Sequence, residues 1–292
     1  MMKKLILSEG KKIGIVYRPE TPRAFALGAE VAVWLKEKGY APVTAPDQKK
    51  ITGTQSMSAK DLKSLCLIVV LGGDGTYLQA VRLLEGAPIP ILGVNLGSLG
   101  FLTQTREQDL YVNLEQALNN KMELRSRSML EVKLKRKNKV IDTSLALNDV
   151  VIERGAASHL MNVAIYSEKF LVCEIKADGF IIASPTGSTA YTLAAGGPVL
   201  HPEVNALVVT PIAPHSLTTR PMIFPDHQLL SFKINSRTQG SRYVVDGKSL
   251  QDLVPDDEIV ITRAKHDHLV VRRPTDNFFH LLREKLKFGE RA

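Results

Sequence analysis

Seven consecutive apolar residues, Leu65–Leu71, run straight into Gly72-Gly73-Asp74-Gly75-Thr76, and this junction restricts the chain more than any other feature. An uninterrupted apolar run of that length suits a strand buried on both faces of a parallel sheet. Glycines on either side of an acid let the backbone turn tightly and approach a ligand with no Cβ in the way. The following residues, Thr76–Leu84, carry a helical pattern. Strand, glycine turn and helix in that order bring unpaired N–H groups and the positive end of a helix dipole to one place, which attracts phosphate. An acid in such a turn would repel the phosphate. It makes sense if it faces a hydroxyl nucleophile or a Mg²⁺ ion carried by the phosphates. The competing reading is a Gly-Asp-Gly surface turn. No Gly-Lys-Ser/Thr follows, so this is not a Walker loop.

The neighbouring sequence repeats the theme. Lys12–Arg18 reads as a short strand, and Arg23–Lys38 as a helix with Ala24, Leu27, Val31, Trp34 and Leu35 on one face, ending at Gly39. Pro90–Asn95 reads as another buried strand and Glu107–Asn119 as another helix. This alternation predicts a doubly wound α/β domain over residues 1–120. Its second glycine turn, from Asn95 to Leu102, falls at the same carboxyl edge of the sheet, where open α/β folds bind ligands, although an ordinary strand–helix connection would look similar.

Near Asn120–Ser128 the texture changes to short alternating segments: Leu130–Arg136, Met161–Tyr166, Phe170–Ile175, Phe180–Ala183, Leu229–Ile234, Tyr243–Val245 and Ile259–Thr262. They predict a β-rich, sandwich-like domain over 121–272, interrupted by a short helix at Thr189–Ala195. A tail over 273–292, with an amphipathic helix at Asn277–Phe288, is placed to pack back on the first domain.

Bulk composition narrows the function classes. A hydrophobic content of 44% allows a real core, and a net charge of +8 points to an anionic partner. Lys133–Lys139 and Arg272–Arg273 are the local basic clusters, with a solvated basic face as the alternative for both. Nothing resembles a zinc finger or an RNA-binding aromatic motif, so nucleic acid is not expected. The two cysteines, Cys66 and Cys173, read as small buried hydrophobes, with no disulfide or zinc framework. The apolar stretch at Leu5–Leu7 stops at Ser8-Glu9, too short for a secretion signal, and no run approaches the roughly 20 residues of a membrane span. A cytoplasmic protein without membrane association is expected.

A third motif follows Asp178-Gly179 and the strand Phe180–Ala183: Ser184-Pro185-Thr186-Gly187-Ser188-Thr189-Ala190-Tyr191, closing at Gly196-Gly197-Pro198. Hydroxyls, glycines and a terminal aromatic suit a nucleotide. A Ser/Thr helix cap explains part of this density, not all of it.

These three motifs in this order, with Asn148-Asp149, the run from Thr210 to Pro221, and Asp246-Gly247, closely resemble the NAD kinase family over roughly residues 12–288. The Gly-Gly-Asp-Gly piece is shared with diacylglycerol-type lipid kinases and phosphofructokinases; the Ser-Pro-Thr-Gly-Ser-Thr-Ala-Tyr segment is far more specific. The resemblance implies transfer of a phosphoryl group from ATP to the 2′-hydroxyl of the adenosine ribose of NAD, giving NADP and ADP. It implies Asp74 as the catalytic base that orients that hydroxyl, with Gly72, Gly73, Gly75 and Thr76 as the phosphate-binding loop. Asn148 and Asp149 would hold adenine and ribose; the family usually has glutamate where Asp149 stands, so that contact shortens by about one methylene. Lys176 and Asp178, two apart on an extended segment, would lie near the nicotinamide half or a phosphate, with a plain surface lysine as the alternative. Thr186, Thr189, Ala190 and Tyr191 would contact NAD, and so would Asp246, although Asp also favours Gly-bearing β-turns structurally. Ala183-Ser184 replaces the family's commoner Ser-Thr with little expected effect. His215 is expected to be structural or near the nucleotide. No protein-only metal cage is expected; Mg²⁺ would arrive with ATP, and a homodimer or homotetramer is implied. The alternatives are a lipid kinase sharing the glycine loop and a non-catalytic dinucleotide sensor.

Overall fold

The computed structural model describes residues 3–7, 10–155, 159–235 and 240–287. Met1, Met2, Ser8 and Glu9 of the N-terminal reading, and Phe288 with the rest of the tail, lie outside the described residues. The chain forms two compact units, one from the segments up to Ser126 and from His268 onward, the other from Arg127–Asp267.

The first unit is the expected α/β structure. Its sheet runs Lys3–Lys4, Glu123–Arg127, His268–Arg272, Ile91–Asn95, Leu65–Leu71, Lys12–Tyr17, Ala41–Thr44 and Gln55–Ser56, with Thr105–Arg106 also pairing with Ile91–Asn95. From His268–Arg272 to Gln55–Ser56 the pairing is parallel. Leu65–Leu71 is buried at every position. Leu67, Val69 and Leu71 face a core shared with the helices Pro22–Glu37 and Leu110–Leu118. Ile68 and Val70 point the opposite way by the two-residue period of a strand and are buried as well. Both faces are covered, which is why this strand reads as a continuous apolar run rather than an alternating one.

Local chemistry marks the helix ends. Pro22–Glu37 opens on proline, whose missing N–H would be unpaired there in any case. It closes with Gly39 at φ +82°, where Gly39 N–H donates to Lys36 O and Tyr40 N–H to Leu35 O, each at 2.9 Å. This is the glycine-ended double bond pattern that satisfies the last carbonyls of a helix. The helix Phe278–Leu286 opens on Asn277, whose side chain accepts from Phe279 N–H, and its Glu284 pairs with Arg106 at 3.0 Å.

The second unit holds two antiparallel six-stranded sheets. One runs Lys139–Ala146, Leu130–Arg136, Glu258–Arg263, Leu230–Ile234, Met161–Ser167, Phe170–Ala177; the other runs Met222–Pro225, Ala206–Ile212, Gly179–Ala183, Asp149–Glu153, Arg242–Val245, Lys248–Asp252. Alternate residues of both sheets, among them Leu130, Val132, Leu134, Phe232 and Ile259 opposite Val150, Ile152, Phe180, Ile182 and Tyr243, form one core. The second sheet is covered on its other face too, where Val151, Ile181, Ala183 and Val208 pack with Ala195 and Leu200. The expected helix at Thr189–Ala195 is shorter, a 3₁₀ turn at Thr186–Thr189 followed by Tyr191–Ala194.

The basic clusters are not free faces. Lys133 pairs with Glu131, Lys135 with Glu258 at 3.5 Å, and Arg136 with the buried Asp257 at 2.8 Å. Arg273 pairs with Asp276 at 3.0 Å, and Arg272 is buried. Acids on the same strand, on the neighbouring strand and in adjoining turns pair with what reads as a basic run in the linear sequence. Cys66 is buried as expected, whereas Cys173 is half-buried.

One ion pair makes the first unit sensitive to acid. Lys12, and the hydroxyl and backbone N–H of Ser58, hold the Asp61 carboxyl down to about 2 from its ordinary 3.8. A depressed carboxyl contributes stability that is complete above the unfolded value and is lost as pH falls through the folded one. Asp61→Asn is therefore expected to flatten the unfolding free energy between about pH 4 and pH 2, measured by urea denaturation. An unchanged acid slope would contradict this role.

Candidate active site

Asp74 is the first residue of the helix Asp74–Leu83, at the carboxyl end of Leu65–Leu71. Its carboxylate does not cap its own helix. Oδ2 accepts from Phe101 N–H at 2.8 Å; Oδ1 accepts from Leu102 N–H at 3.0 Å, Thr103 N–H at 3.1 Å and the Thr103 hydroxyl at 3.0 Å. Three successive amides thus converge on one carboxylate, an anion nest made by the neighbouring loop. Asn95 braces that loop, donating to Thr103 Oγ1 at 3.0 Å and accepting from Gly97 N–H at 2.6 Å. Gly100 has a steric reason to be glycine: a Cβ there would collide with Asp74 Oδ1.

The loop glycines divide by cause. A Cβ on Gly72 would meet Thr76 Oγ1 at 2.5 Å, so packing against buried Thr76 explains that position. A Cβ on Gly73 or Gly75 would meet nothing within 4 Å, and neither backbone has a positive φ. No steric or conformational demand of the described structure requires glycine at those two places.

The second unit repeats the carboxylate nest. Asp246 and Gly247 form the two-residue turn between Arg242–Val245 and Lys248–Asp252, with φ of 45° and 74°. The Asp246 carboxylate reaches across to accept from Leu147 N–H and Asn148 N–H, each at 2.8 Å, and Asp149 N–H at 3.1 Å. Asp149 is 6% exposed beside it. Burial and then the charge of Asp246 push the Asp149 carboxyl up to about 7, partly opposed by a hydrogen bond from Tyr191 N–H.

The hydroxyl-rich turn folds onto the same place. Ser184 N–H donates to Asn148 O at 2.9 Å, and Ser184 Oγ donates to Leu147 O at 2.5 Å. A Cβ on Gly187 would collide with the Asn148 carbonyl, so only glycine lets the turn lie this close. Thr189 Oγ1 donates to Thr186 O at 3.2 Å, and Ala190 N–H to Gly187 O at 2.9 Å. Thr186 Oγ1 is buried with no hydrogen-bond partner among the described residues, while Tyr191 is exposed. Asn148, Asp149, Asp246, Thr186, Thr189, Ala190 and Tyr191 therefore share one corner of the second unit.

Lys176 and Asp178 are elsewhere. Both precede the strand Gly179–Ala183, whose far end carries the Ser184 turn, and five extended residues span about 17 Å. Asp178 pairs with Arg154 at 2.7 Å. Lys176 lines a cavity of about 760 Å³ with His215, Arg220, Thr218 and Cys173, and its carbonyl accepts from His215 N–H at 2.9 Å. Sequence reasoning missed the Gly100 contact and the amides of Phe101–Thr103 as partners of Asp74. It also missed His268, whose Nε2 lies 2.8 Å from the hydroxyl of the buried Tyr77.

Compared with family models, residues 13–122 match the ATP-NAD kinase N-terminal domain and residues 147–273 the ATP-NAD kinase C-terminal domain. With the glycine loop and its acid at the sheet's rim, these matches define the chain as a phosphotransferase with an alcohol acceptor. An NAD kinase of Bdellovibrio bacteriovorus is 55% identical over 289 residues, 99% of this chain and 95% of that protein. An NAD kinase of Geotalea daltonii is 38% identical over 283 residues, 96% of this chain and all of that protein at 100%. The crystal structure of yeast NADH kinase complexed with NADH has a TM-score of 0.90 at 27% identity, covering 100% of this chain and 91% of that one. An Archaeoglobus fulgidus NAD kinase in complex with ATP shares the fold, with a TM-score of 0.73 over 94% of this chain and 99% of that one. The chain belongs to the NAD kinase family. Nothing in these comparisons supports a lipid kinase.

The buried acid of the second unit sets a pH dependence. A carboxyl whose folded value lies above its unfolded 3.8 favours folding in its protonated form, so stability falls as pH rises from about 4 to about 7 and is constant beyond. Asp149→Asn, neutral at every pH, is expected to remove that decline and to be more stable than wild type at pH 8 in urea denaturation. A variant less stable at pH 8 with the decline intact would contradict it.

Proposed function

We propose that Asp74 orients the 2′-hydroxyl of the adenosine ribose of NAD while the Gly72–Thr76 loop receives the phosphates of ATP, giving NADP and ADP. The observation that carries this reading is the unconstrained glycine at position 75. Glycine within the first turn of a helix costs up to about 1 kcal/mol relative to alanine. Gly73 is the N-cap, where glycine is favoured over alanine in any case, but at Gly75 no packing offsets that cost, which supports close approach of a ligand to the backbone there.

The hydrogen-bond count supports different roles for the two oxygens. Oδ1 of Asp74 already accepts three bonds, whereas Oδ2 accepts one, so the acceptor hydroxyl goes to Oδ2. The nest holds the carboxylate in one orientation. Phosphoryl transfer has a loose transition state, in which alignment of the attacking oxygen matters more than strong proton abstraction.

In the second unit, Asn148, Asp149, Thr186, Thr189, Ala190, Tyr191 and Asp246 are proposed to bind NAD. Support comes from one turn that exposes the Tyr191 ring and holds a buried Thr186 hydroxyl with no hydrogen-bond partner among the described residues. Asp246 serves here by shaping the Leu147–Asp149 backbone. Lys176, which lines the cavity of about 760 Å³, and Asp178, two residues further on, are proposed to serve the nicotinamide half. Among the described residues, no group of three or more His, Cys, Asp or Glu is placed to hold a metal ion. Independently of that, the family resemblance supports a divalent cation, Mg²⁺, that would arrive with the phosphates of ATP and neutralise their charge. A cytoplasmic homodimer or homotetramer fits the family resemblance; the edge strand Phe170–Ala177, with Phe170 66% exposed and Leu171 57%, offers a surface for a second copy. No described helix is long and apolar enough to cross a membrane.

Asp74→Asn is expected to lower kcat about 10²–10⁴-fold and to keep NAD affinity within a few-fold, by steady-state kinetics and calorimetry. Unchanged turnover would remove Asp74 from the mechanism. Gly75→Ala is expected to fold at least as stably as wild type, since alanine suits a helix better, yet to lose most of its turnover. Full activity in that variant would end the close-approach reading.

A further inference from the structure

We propose that Arg272 is a positioning residue for phosphoryl transfer, acting on Asp74 through the single peptide group between Phe101 and Leu102. The inference rests on the assignment of Asp74 above and extends it to a residue far away in sequence. Arg272 ends the strand His268–Arg272, which lies next to Ile91–Asn95 in the first unit's sheet. Its guanidinium Nη2 donates to the Phe101 carbonyl at 3.1 Å. The same peptide group presents the Leu102 N–H, which donates to Asp74 Oδ1 at 3.0 Å. A peptide unit is planar and rigid, so a cation at its oxygen and an anion at its N–H fix its orientation from both ends. Each charge also polarises the unit in the sense that strengthens the opposite bond.

The burial of Arg272 makes an incidental contact a poor explanation. The residue is 5% exposed, and a buried charge is costly unless the surroundings answer it. Desolvation draws the guanidinium's pKa below its ordinary value, while Tyr77, Asp276 and Asp74 pull it back up. Asp74 is thus among the charges that Arg272 feels as well as the group to which its hydrogen bond leads. The adjacent Arg273 contrasts with it: half-exposed and engaged with Asp276 through side chain and backbone. Of the two arginines read together as a basic cluster, only Arg272 leads to the acid.

Loss of the guanidinium frees the Phe101–Leu102 peptide to tilt, and the carboxylate oxygen it holds moves with it. The effect should fall on alignment of the acceptor hydroxyl, hence on kcat, because a misplacement of about 1 Å near the reacting atoms can cost about 10²-fold. Lysine keeps the charge but not the planar fork, so it should restore part of the function.

The test uses the full-length enzyme with ATP, Mg²⁺ and NAD, comparing Arg272→Lys, Arg272→Gln, Arg273→Ala and Asp74→Asn, with thermal unfolding of each. Arg272→Lys is expected to lose about 3-fold in kcat and Arg272→Gln about 30-fold, with both KM values within about 2-fold of wild type. Arg273→Ala is expected to match wild type. If Arg272→Gln does not fold, Arg272→Lys decides. Wild-type kcat in either folded Arg272 variant overturns the inference, as does a loss that appears in KM rather than kcat, or an equal loss in Arg273→Ala. Should Asp74→Asn lose turnover while the Arg272 variants keep it, this inference alone fails. Should Asp74→Asn keep full turnover, the reading of Asp74 fails first.

Discussion

A carboxylate that accepts three consecutive backbone amides organises each half of this protein. Asp74 gathers Phe101, Leu102 and Thr103; Asp246 gathers Leu147, Asn148 and Asp149. Loops at the ends of strands expose N–H groups that no ladder satisfies, and an unpaired buried amide is costly. One anion answers three of them at once and dictates the local backbone shape. The glycines follow from this: Gly100 and Gly187 lie where a Cβ would strike the Asp74 carboxylate or the Asn148 carbonyl. The arrangement is therefore specified twice, by attraction to the acid and by the absence of a side chain where the chain crowds it.

The consequence for function is rigidity in a place where loops are commonly mobile. The Asn95–Thr103 loop carries Asn95 bonds to Thr103 and Gly97, the Asp74 nest and the Arg272 bond to Phe101. A flexible turn would have to be ordered each time a substrate arrived, at the expense of affinity or rate. A turn already fixed by internal hydrogen bonds leaves binding free energy for alignment of the reacting groups.

Legibility in the sequence followed burial. Leu65–Leu71 and Leu130–Arg136 were read with their ends in place because strong apolar patterns mark them. The candidate site was legible where glycines flank an acid, as at Gly72–Thr76, or where hydroxyls crowd around a glycine, as at Thr186–Tyr191. The strand His268–Arg272 was not read, because a short segment ending in two arginines looks like a basic patch; its neighbours in the sheet are supplied by residues more than a hundred positions away. Lys139–Ala146 escaped for the opposite reason. It is an edge strand whose Val140 and Ile141 face solvent, so no inward alternation marks it. The partners of Asp74 and Asp246 could not be read at all, since backbone amides have no sequence identity.

The buried pair in the second unit shows how a short side chain changes what a site offers. Asp246 takes three amides, whereas Asp149 is given the Tyr191 N–H and the company of another acid. With its carboxyl pushed up to about 7, Asp149 carries a proton through the acidic side of neutrality. A protonated carboxyl is both donor and acceptor, whereas an ionised one only accepts. In the proposed role of Asp149 toward NAD, ribose hydroxyls and the adenine edge would present both kinds of group, so its protonation would bear on which of them it could satisfy. A glutamate at this position would carry its charge one methylene further from Asp246 and from the buried backbone. Aspartate keeps the two acids close, and the second unit thereby trades a fixed anion for a group whose hydrogen-bonding character changes near neutral pH.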